Sequence, residues 1–126
     1  MAKLSEILGN SFIGLQGLQG TIGPIGNPTS IPQTSPTNTY VLEIGDVGKH
    51  VSTSYNVSVP ANIFSIGDVV TIFNKSASSI TVSGPSVTMY FSGSNLTGTR
   101  TLAQKGLCTV LCVGTNEFVV TGPGLS

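Results

Sequence analysis

The sequence has few charged residues, no tryptophan and a single histidine. Lys and Arg total five, Asp and Glu total five, and the formal net charge is zero. Nucleic-acid binding depends on a basic surface, which this composition does not supply. Hydrophobic residues are 39% of the chain, which is too high for a solvated disordered segment. We therefore expect partners that are recognised through neutral polar or apolar surfaces, and no nucleic acid among them.

The sequence also has no long apolar run. The N-terminal stretch MAKLSEILGNSF is interrupted by Glu6. No apolar stretch there reaches the seven or so residues of a signal-peptide core, and none reaches the roughly 18 residues of a membrane-spanning helix. We expect synthesis in the cytoplasm, with no export by this route and no insertion into a membrane.

The residues that carry catalysis or bind metals are scarce and scattered. The only histidine, His50, has no cysteine near it in sequence and no nucleophile-elbow signature accompanies it. Cys108 and Cys112 are four residues apart in a strand-like run, so their Cα atoms should lie about 13 Å apart. A disulfide needs about 7 Å or less. We predict two buried free thiols, no metal, no cofactor and no enzymatic activity.

Two aspartates occur in the same local sequence. Asp46 and Asp68 both stand in Gly-Asp-Val, ahead of a predicted strand. An aspartate at such a position most often accepts hydrogen bonds within its own turn. Calcium would need several oxygen ligands close together, and these two acids are isolated in the sequence. We predict that both side chains cap turns.

Glycine recurs at every third position in GLQGLQGTIGPIGNP, residues 14–28. The repeated residues are Gly14, Gly17, Gly20, Gly23 and Gly26. A collagen triple helix admits only glycine at its axis, once every third residue, and it needs three chains. The spacing predicts a collagen-like stem and a homotrimer. The alternative is an extended glycine-rich arm that is not a triple helix and lies against a neighbour through four aliphatic residues, Leu15, Leu18, Ile22 and Ile25.

The segments on either side of the stem have different compositions. In residues 1–13, apolar side chains fall on one side of a possible helical turn, and we predict a docking peptide that anchors to a partner through Leu4, Ile7, Leu8 and Phe12. So short a helix does not hold in water, so a frayed terminus is the alternative. Residues 29–38 contain Pro32 and Pro36 among Ser, Thr and Asn, which predicts an extended linker.

Residues 39–126 are punctuated into short β-branched and aromatic runs. The runs have four to eight residues and are separated by Gly, Ser and Asn clusters about every ten residues, which is typical of an all-β antiparallel sandwich or barrel. In Val69–Asn74, alternation places Val70, Ile72 and Asn74 on one face. The run Leu107–Gly114 is apolar on both faces, which predicts a strand that is central or buried at a subunit interface.

Several short motifs resemble those of a known protein group. They are Gly67-Asp68-Val69, Thr101-Leu102, Lys105-Gly106, Val113-Gly114-Thr115-Asn116 and Thr121-Gly122, together with a Met-Ala-Lys-Leu start and Gly-Leu-Gln repeats. In this order they resemble tail-fibre-like and other structural proteins of tailed bacteriophages, particularly those of marine cyanobacteria. The resemblance covers the stem and roughly the last half of the chain. Phe118 stands where such proteins usually carry the aromatic residue of a Gly-Asn-x-Trp ending.

The resemblance implies a homotrimeric virion protein that attaches through residues 1–28 and presents its β domain outward. One role is a capsid decoration protein or short head fibre, with the major capsid protein or another virion protein as partner. The other is a tail-fibre-type adhesin that binds host surface polysaccharide, where Tyr40, Tyr55 and Tyr90 could stack on sugars. The short stem favours decoration. A bacterial surface adhesin with a collagen-like stalk is a third class, and the lack of an export signal counts against it.

Overall fold

The computed structural model describes residues 30–126. This part of the chain contains ten β-strands and one 3₁₀ turn. The docking peptide and the glycine stem predicted above lie outside these residues. The strands are β1 (Gln33–Thr34), β2 (Tyr40–Val41), β3 (His50–Thr53), β4 (Val57–Ser58), β5 (Val69–Asn74), β6 (Ile80–Ser83), β7 (Thr88–Phe91), β8 (Arg100–Leu102), β9 (Leu107–Gly114) and β10 (Glu117–Thr121). The 3₁₀ turn is Ile44–Asp46.

The strands form two sheets. The large sheet has six strands in the order β1-β3-β5-β9-β10-β7, and the small sheet has four in the order β2-β4-β6-β8. From β1 to β6 the chain alternates between the sheets, so β1 pairs with β3, β3 with β5, β2 with β4 and β4 with β6. These six strands therefore wind as three coils of a two-sided β-solenoid. The hairpin β9–β10 then completes the large sheet, and β8 completes the small one.

Strand pairing differs from the expected antiparallel arrangement. Five of the eight strand pairs are parallel, namely β1–β3, β3–β5, β2–β4, β4–β6 and β7–β10. The prediction of an antiparallel sandwich or barrel was therefore wrong for most pairs, although the all-β class is confirmed. The physical reason is the alternation between sheets. When the chain crosses to the other sheet and then back, it re-enters the first sheet in its original direction, which gives a parallel pair. A hairpin would reverse the chain and give an antiparallel pair.

The core lies between the inner faces of the two sheets. Along β5, Val70, Ile72 and Asn74 are buried and their neighbours are half-buried, as the alternation predicted. Strand β9 is central in the large sheet, between β5 and β10, and buries Cys108, Val110 and Cys112 on its inner face. The small sheet contributes further fully buried side chains, among them Val57, Val82 and Leu102.

Two elements fall where no strand was expected. β1 lies within the predicted linker and pairs with β3 in parallel, Gln33 opposite His50. β8 pairs with β6, and its other edge is covered by the C-terminal residues, since Thr101 and Ser126 exchange two backbone hydrogen bonds of 2.9 Å. Both strands have three residues or fewer, which is too short for an alternating pattern to be recognised in the sequence.

Candidate interaction surfaces

Strands β5, β9, β10 and β7 of the large sheet carry a row of apolar side chains on their outward side. Strand register places Val69 opposite Leu111, Leu111 opposite Val119, and Val119 opposite Tyr90. Because successive side chains of a strand point to opposite faces, and their neighbours Val70, Val110, Met89 and Val120 are buried, this row faces outward. The row crosses four adjacent strands without a polar residue other than the tyrosine hydroxyl.

Two further rows extend this surface. Phe73 lies opposite Leu107, and a row of three threonines, Thr71, Thr109 and Thr121, separates this pair from the first row. Leu107 is 45% exposed and Val113, further along β9, is 39% exposed. The apolar residues of the outer face of the large sheet are Val69, Phe73, Tyr90, Leu107, Leu111, Val113 and Val119.

The outer face of the small sheet has a different chemistry. Its outward residues are hydroxyl-bearing apart from Val41, and they are Ser58, Thr81, Ser83 and Thr101. Hydroxyl groups on a sheet face are readily solvated, whereas contact between an apolar row and water is unfavourable in free energy. The outer faces of the two sheets therefore differ in chemistry, with hydroxyl groups prevailing on the small sheet and an apolar row on strands β5, β9, β10 and β7 of the large one.

Charge is almost absent from the apolar face. Among β5, β7, β9 and β10 the only charged residue is Glu117, at the first position of β10. His50, on the far strand β3, places its ring Nε2 3.0 Å from Gln33 Oε1. This hydrogen bond joins β3 to the edge strand β1, which gives His50 a structural contact within the sheet.

A shallow groove of about 390 Å³ lies at the end of the β9–β10 hairpin. It is lined by uncharged residues, Asn62, Phe64, Ser65, Ile66, Gly114, Thr115 and Asn116. Asn62 and Asn116 hold its two sides together. The Asn62 backbone N–H donates to Asn116 Oδ1 at 2.8 Å, and Asn116 Nδ2 donates to Asn62 Oδ1 at 3.0 Å. Such a groove can offer amide and hydroxyl hydrogen bonds beside an apolar surface.

Two aromatic rings support the floor of this groove. Phe64 meets the buried Phe118 edge to face, with ring centroids 5.9 Å apart. Beside it Ile66 is 73% exposed, the most exposed of the large apolar residues in the described part of the chain. The β9–β10 hairpin turns at Thr115 and Asn116, and Asn116 adopts the left-handed conformation such turns favour, with φ 54°.

A buried carboxylate joins the first coil of the domain. Asp46 is 3% exposed and accepts three hydrogen bonds, from Thr34 Oγ1 at 2.9 Å, the Tyr40 hydroxyl at 2.7 Å and the Glu43 backbone N–H at 2.8 Å. These partners lie on β1, on β2 and just before the 3₁₀ turn. Burial, and then the hydrogen bond to Asp46, raise the pKa of Tyr40 well above its usual range. The Tyr40 hydroxyl is therefore engaged in a contact within the fold rather than available to a ligand.

The predicted turn caps are confirmed. Asp68 Oδ2 accepts from the Ser65 backbone N–H at 2.9 Å, and Asp46 bonds in the same way to Glu43, three residues before it. Cys108 and Cys112 are both free and buried, as predicted. Burial raises the pKa of the Cys108 thiol to about 12.

The predicted anchor and stem residues are not among those the structure describes. The anchors Leu4, Ile7, Leu8 and Phe12, and the glycines Gly14, Gly17, Gly20, Gly23 and Gly26, all precede residue 30. Two surfaces were not foreseen as sites. The apolar face was signalled in part by Leu107–Gly114, which is apolar on both sides. The groove had no signal, because residues 62–66 and 114–116 are far apart in sequence.

The sequence matches no protein-family model, and no curated protein matches it significantly. Within residues 30–126, no three or more His, Cys, Asp or Glu side chains come together as a metal site would require. The same residues contain no helix long and apolar enough to cross a membrane.

Proposed function

We propose that this protein is a non-enzymatic structural protein of a bacteriophage virion, a homotrimer that decorates the capsid or forms a short head fibre and is anchored by its N-terminal arm. The observation that carries the proposal is the apolar outer face of the large sheet on a chain with zero net charge. A surface of this kind favours a permanently assembled protein over a free monomer, because large exposed apolar patches promote association.

The bacteriophage assignment rests on the resemblance of the stem and of the strand-turn motifs after residue 67. Two of these motifs have clear structural roles. Gly67-Asp68-Val69 forms the capped turn that leads into β5, and Thr115-Asn116 forms the turn of the β9–β10 hairpin. Because these residues shape the fold, the resemblance supports an architecture shared with the bacteriophage proteins. From that shared architecture we infer the structural role.

Decoration is favoured over a tail-fibre role by length. Five Gly-x-y triplets at about 3.1 Å per residue extend only about 47 Å. Such a stem suits a protein that stands close to a shell better than one that reaches for a distant receptor. The docking peptide, residues 1–13, would then bind the major capsid protein or another virion protein.

The alternative is a receptor-binding adhesin, and the groove at the β9–β10 hairpin is the observation that favours it. Its lining is uncharged and combines amide and hydroxyl groups with Phe64 and Ile66. Neutral polysaccharides are recognised by such mixtures of hydrogen bonds and apolar contact. Tyr55, which is 41% exposed, is a further candidate contact for a sugar ring.

The decisive experiment adds purified protein to undecorated capsids of the phage that encodes it, followed by electron microscopy. Full-length protein should give density at symmetric positions on the capsid, and a variant lacking residues 1–13 should give none. Binding of both proteins would contradict the arm as anchor. Absence of capsid binding, with the protein found on tails, would replace decoration by the adhesin role.

A matched pair of variants separates the two roles further. Ile66→Ser and Tyr55→Ala change exposed residues at or near the candidate sugar contacts, while the core stays intact. In a decoration protein both variants should saturate capsids like the unchanged protein. In an adhesin, at least one of them should reduce binding to host cells by tenfold or more.

A further inference from the structure

We infer that the outer face of the large sheet is the interface through which copies of this chain pack in the trimer. The inference rests on the homotrimer of the proposed function and goes beyond it by naming the surface. Its basis is the contrast between the two outer faces. The outward side of the large sheet carries the apolar row Val69, Leu111, Val119 and Tyr90, whereas the small sheet has no such row and carries Val41 among serines and threonines.

The geometry of the face suits packing against another protein surface. The row Val69–Leu111–Val119–Tyr90 runs across four hydrogen-bonded strands, and the pair Phe73 and Leu107 lies beyond the threonine row. Backbone groups in the middle of the sheet are already paired, so only side chains remain to be covered. Aromatic residues and absence of charge are the features that characterise the centres of protein interfaces.

Another copy of the chain is the occupant that the sequence favours. The face offers no charge complementarity for an acidic or basic partner, since Glu117 is the only charged residue in its four strands. The glycine repeat itself calls for three chains. Gln33 of β1, in this same sheet, follows Gly26 by seven residues, and an extended chain spans at most about 3.5 Å per residue. Copies joined at the repeat would thus keep their β domains close enough to contact one another.

Other surfaces of residues 30–126 are less suited to this role. The small sheet presents Ser58, Thr81, Ser83 and Thr101, whose hydroxyl groups are readily solvated. Its β8 edge is closed by Ser126. The groove at the hairpin is uncharged but concave and small, about 390 Å³, which fits a ligand better than a flat protein surface.

The first test compares two substitutions on full-length protein. Leu111→Asp places a charge at the centre of the apolar face, and Thr81→Asp places the same charge at a half-buried position of the small sheet's outer face. By sedimentation equilibrium, Leu111→Asp should weaken trimer association by at least a hundredfold, while Thr81→Asp stays trimeric like the unchanged chain. A folded Leu111→Asp trimer of normal affinity would overturn the inference and leave the trimer standing. A monomeric unchanged chain would overturn the trimer itself.

A second measurement avoids dependence on a variant that fails to fold. Leu107→Cys and Thr101→Cys place thiols at exposed positions on the two outer faces, beside native thiols that are buried. In the trimer, Leu107→Cys should react with a maleimide at least tenfold more slowly than Thr101→Cys, and dilution to monomer should abolish the difference. Equal rates in the trimer would overturn the inference. If Leu107→Cys still reacted more slowly than Thr101→Cys in the monomer, the inference would also be overturned. The slow reaction would then be assigned to residues 1–29 of the same chain covering this position.

Discussion

Asn74 shows how a buried polar residue connects parts of the fold. It has no exposed surface, and its Nδ2 donates to the carbonyl oxygens of Ser78, Leu102 and Ala103 at 2.7, 3.1 and 3.0 Å. Its Oδ1 accepts from the Ser76 backbone N–H and hydroxyl at 3.0 and 2.7 Å. Asn74 ends a strand of the large sheet, and Leu102 ends a strand of the small one. One side chain therefore joins the two sheets.

We expect Asn74→Ala to destabilise the protein by about 1–3 kcal/mol, because the buried Leu102 carbonyl and the partly buried carbonyls of Ser78 and Ala103 lose their donor. The measurement is the free energy of unfolding from a denaturant titration. Asn95→Ala, at an exposed position, is the matched control and should change the free energy by no more than about 0.5 kcal/mol. Equal stabilities of the two variants would show that the Asn74 hydrogen bonds are not needed for folding.

The Cys108 thiol makes stability depend on pH in the alkaline range. Burial raises its pKa from the ordinary 9.0 to about 12 in the folded protein. The unfolded chain loses this proton first, so the folded state loses stability as the pH rises from about 9 towards 12, by up to about 4 kcal/mol. Below pH 9 the thiol is protonated in both states and contributes no slope.

Unfolding titrations at a series of pH values test this expectation. The unchanged protein should lose stability steeply above pH 9, and Cys108→Ala should lose less over the same interval. Tyr40, whose pKa is also raised, will keep a part of the slope in both proteins. Parallel curves for the two proteins would remove Cys108 as a cause.

At the scale of elements, the longest strands could be read from the sequence and their partners could not. The runs at Val69–Asn74 and Leu107–Gly114 were expected with the bounds that β5 and β9 have. Alternation and β-branched residues fix the place of a strand locally. Pairing depends on where the loops lead, and here they cross between sheets. The residues of a strand such as Ile80–Ser83 do not indicate that it pairs with β4 and β8.

The candidate sites illustrate the same limit. The apolar character of Leu107–Gly114 on both sides was visible in the sequence. The continuation of its outward side into Val69, Val119 and Tyr90 required the register of three strand pairs. The groove depends on a hydrogen-bonded pair 54 residues apart, Asn62 and Asn116, which local patterns do not report.

The glycine stem gives a prediction at the level of an element. In a triple helix Gly20 would stand at the crowded axis and Gln19 at the surface. We expect Gly20→Ala to lower the melting temperature of the stem and to weaken the trimer, while Gln19→Ala leaves both nearly unchanged. Circular dichroism of the polyproline-II signal and sedimentation provide the readouts. Equal behaviour of the two variants would favour the extended arm that is not a triple helix.

For the whole molecule, low charge and a one-sided apolar surface point to the same conclusion. In a free monomer the outer face of the large sheet would be in contact with water. A chain with zero net charge has no net electrostatic repulsion between copies to oppose aggregation. Packing copies against one another removes that surface and leaves the hydroxyl-rich small sheet outside. The proposed assembly protein therefore accounts for features of the composition as well as of the fold.

The most direct test of this account is the native mass of the purified full-length protein, measured by native mass spectrometry at low micromolar concentration. The proposed trimer predicts one species with three times the 12.9 kDa mass of the chain. A monomer that persists as the concentration is raised, with a folded β domain, would contradict the trimer and with it the proposed assembly.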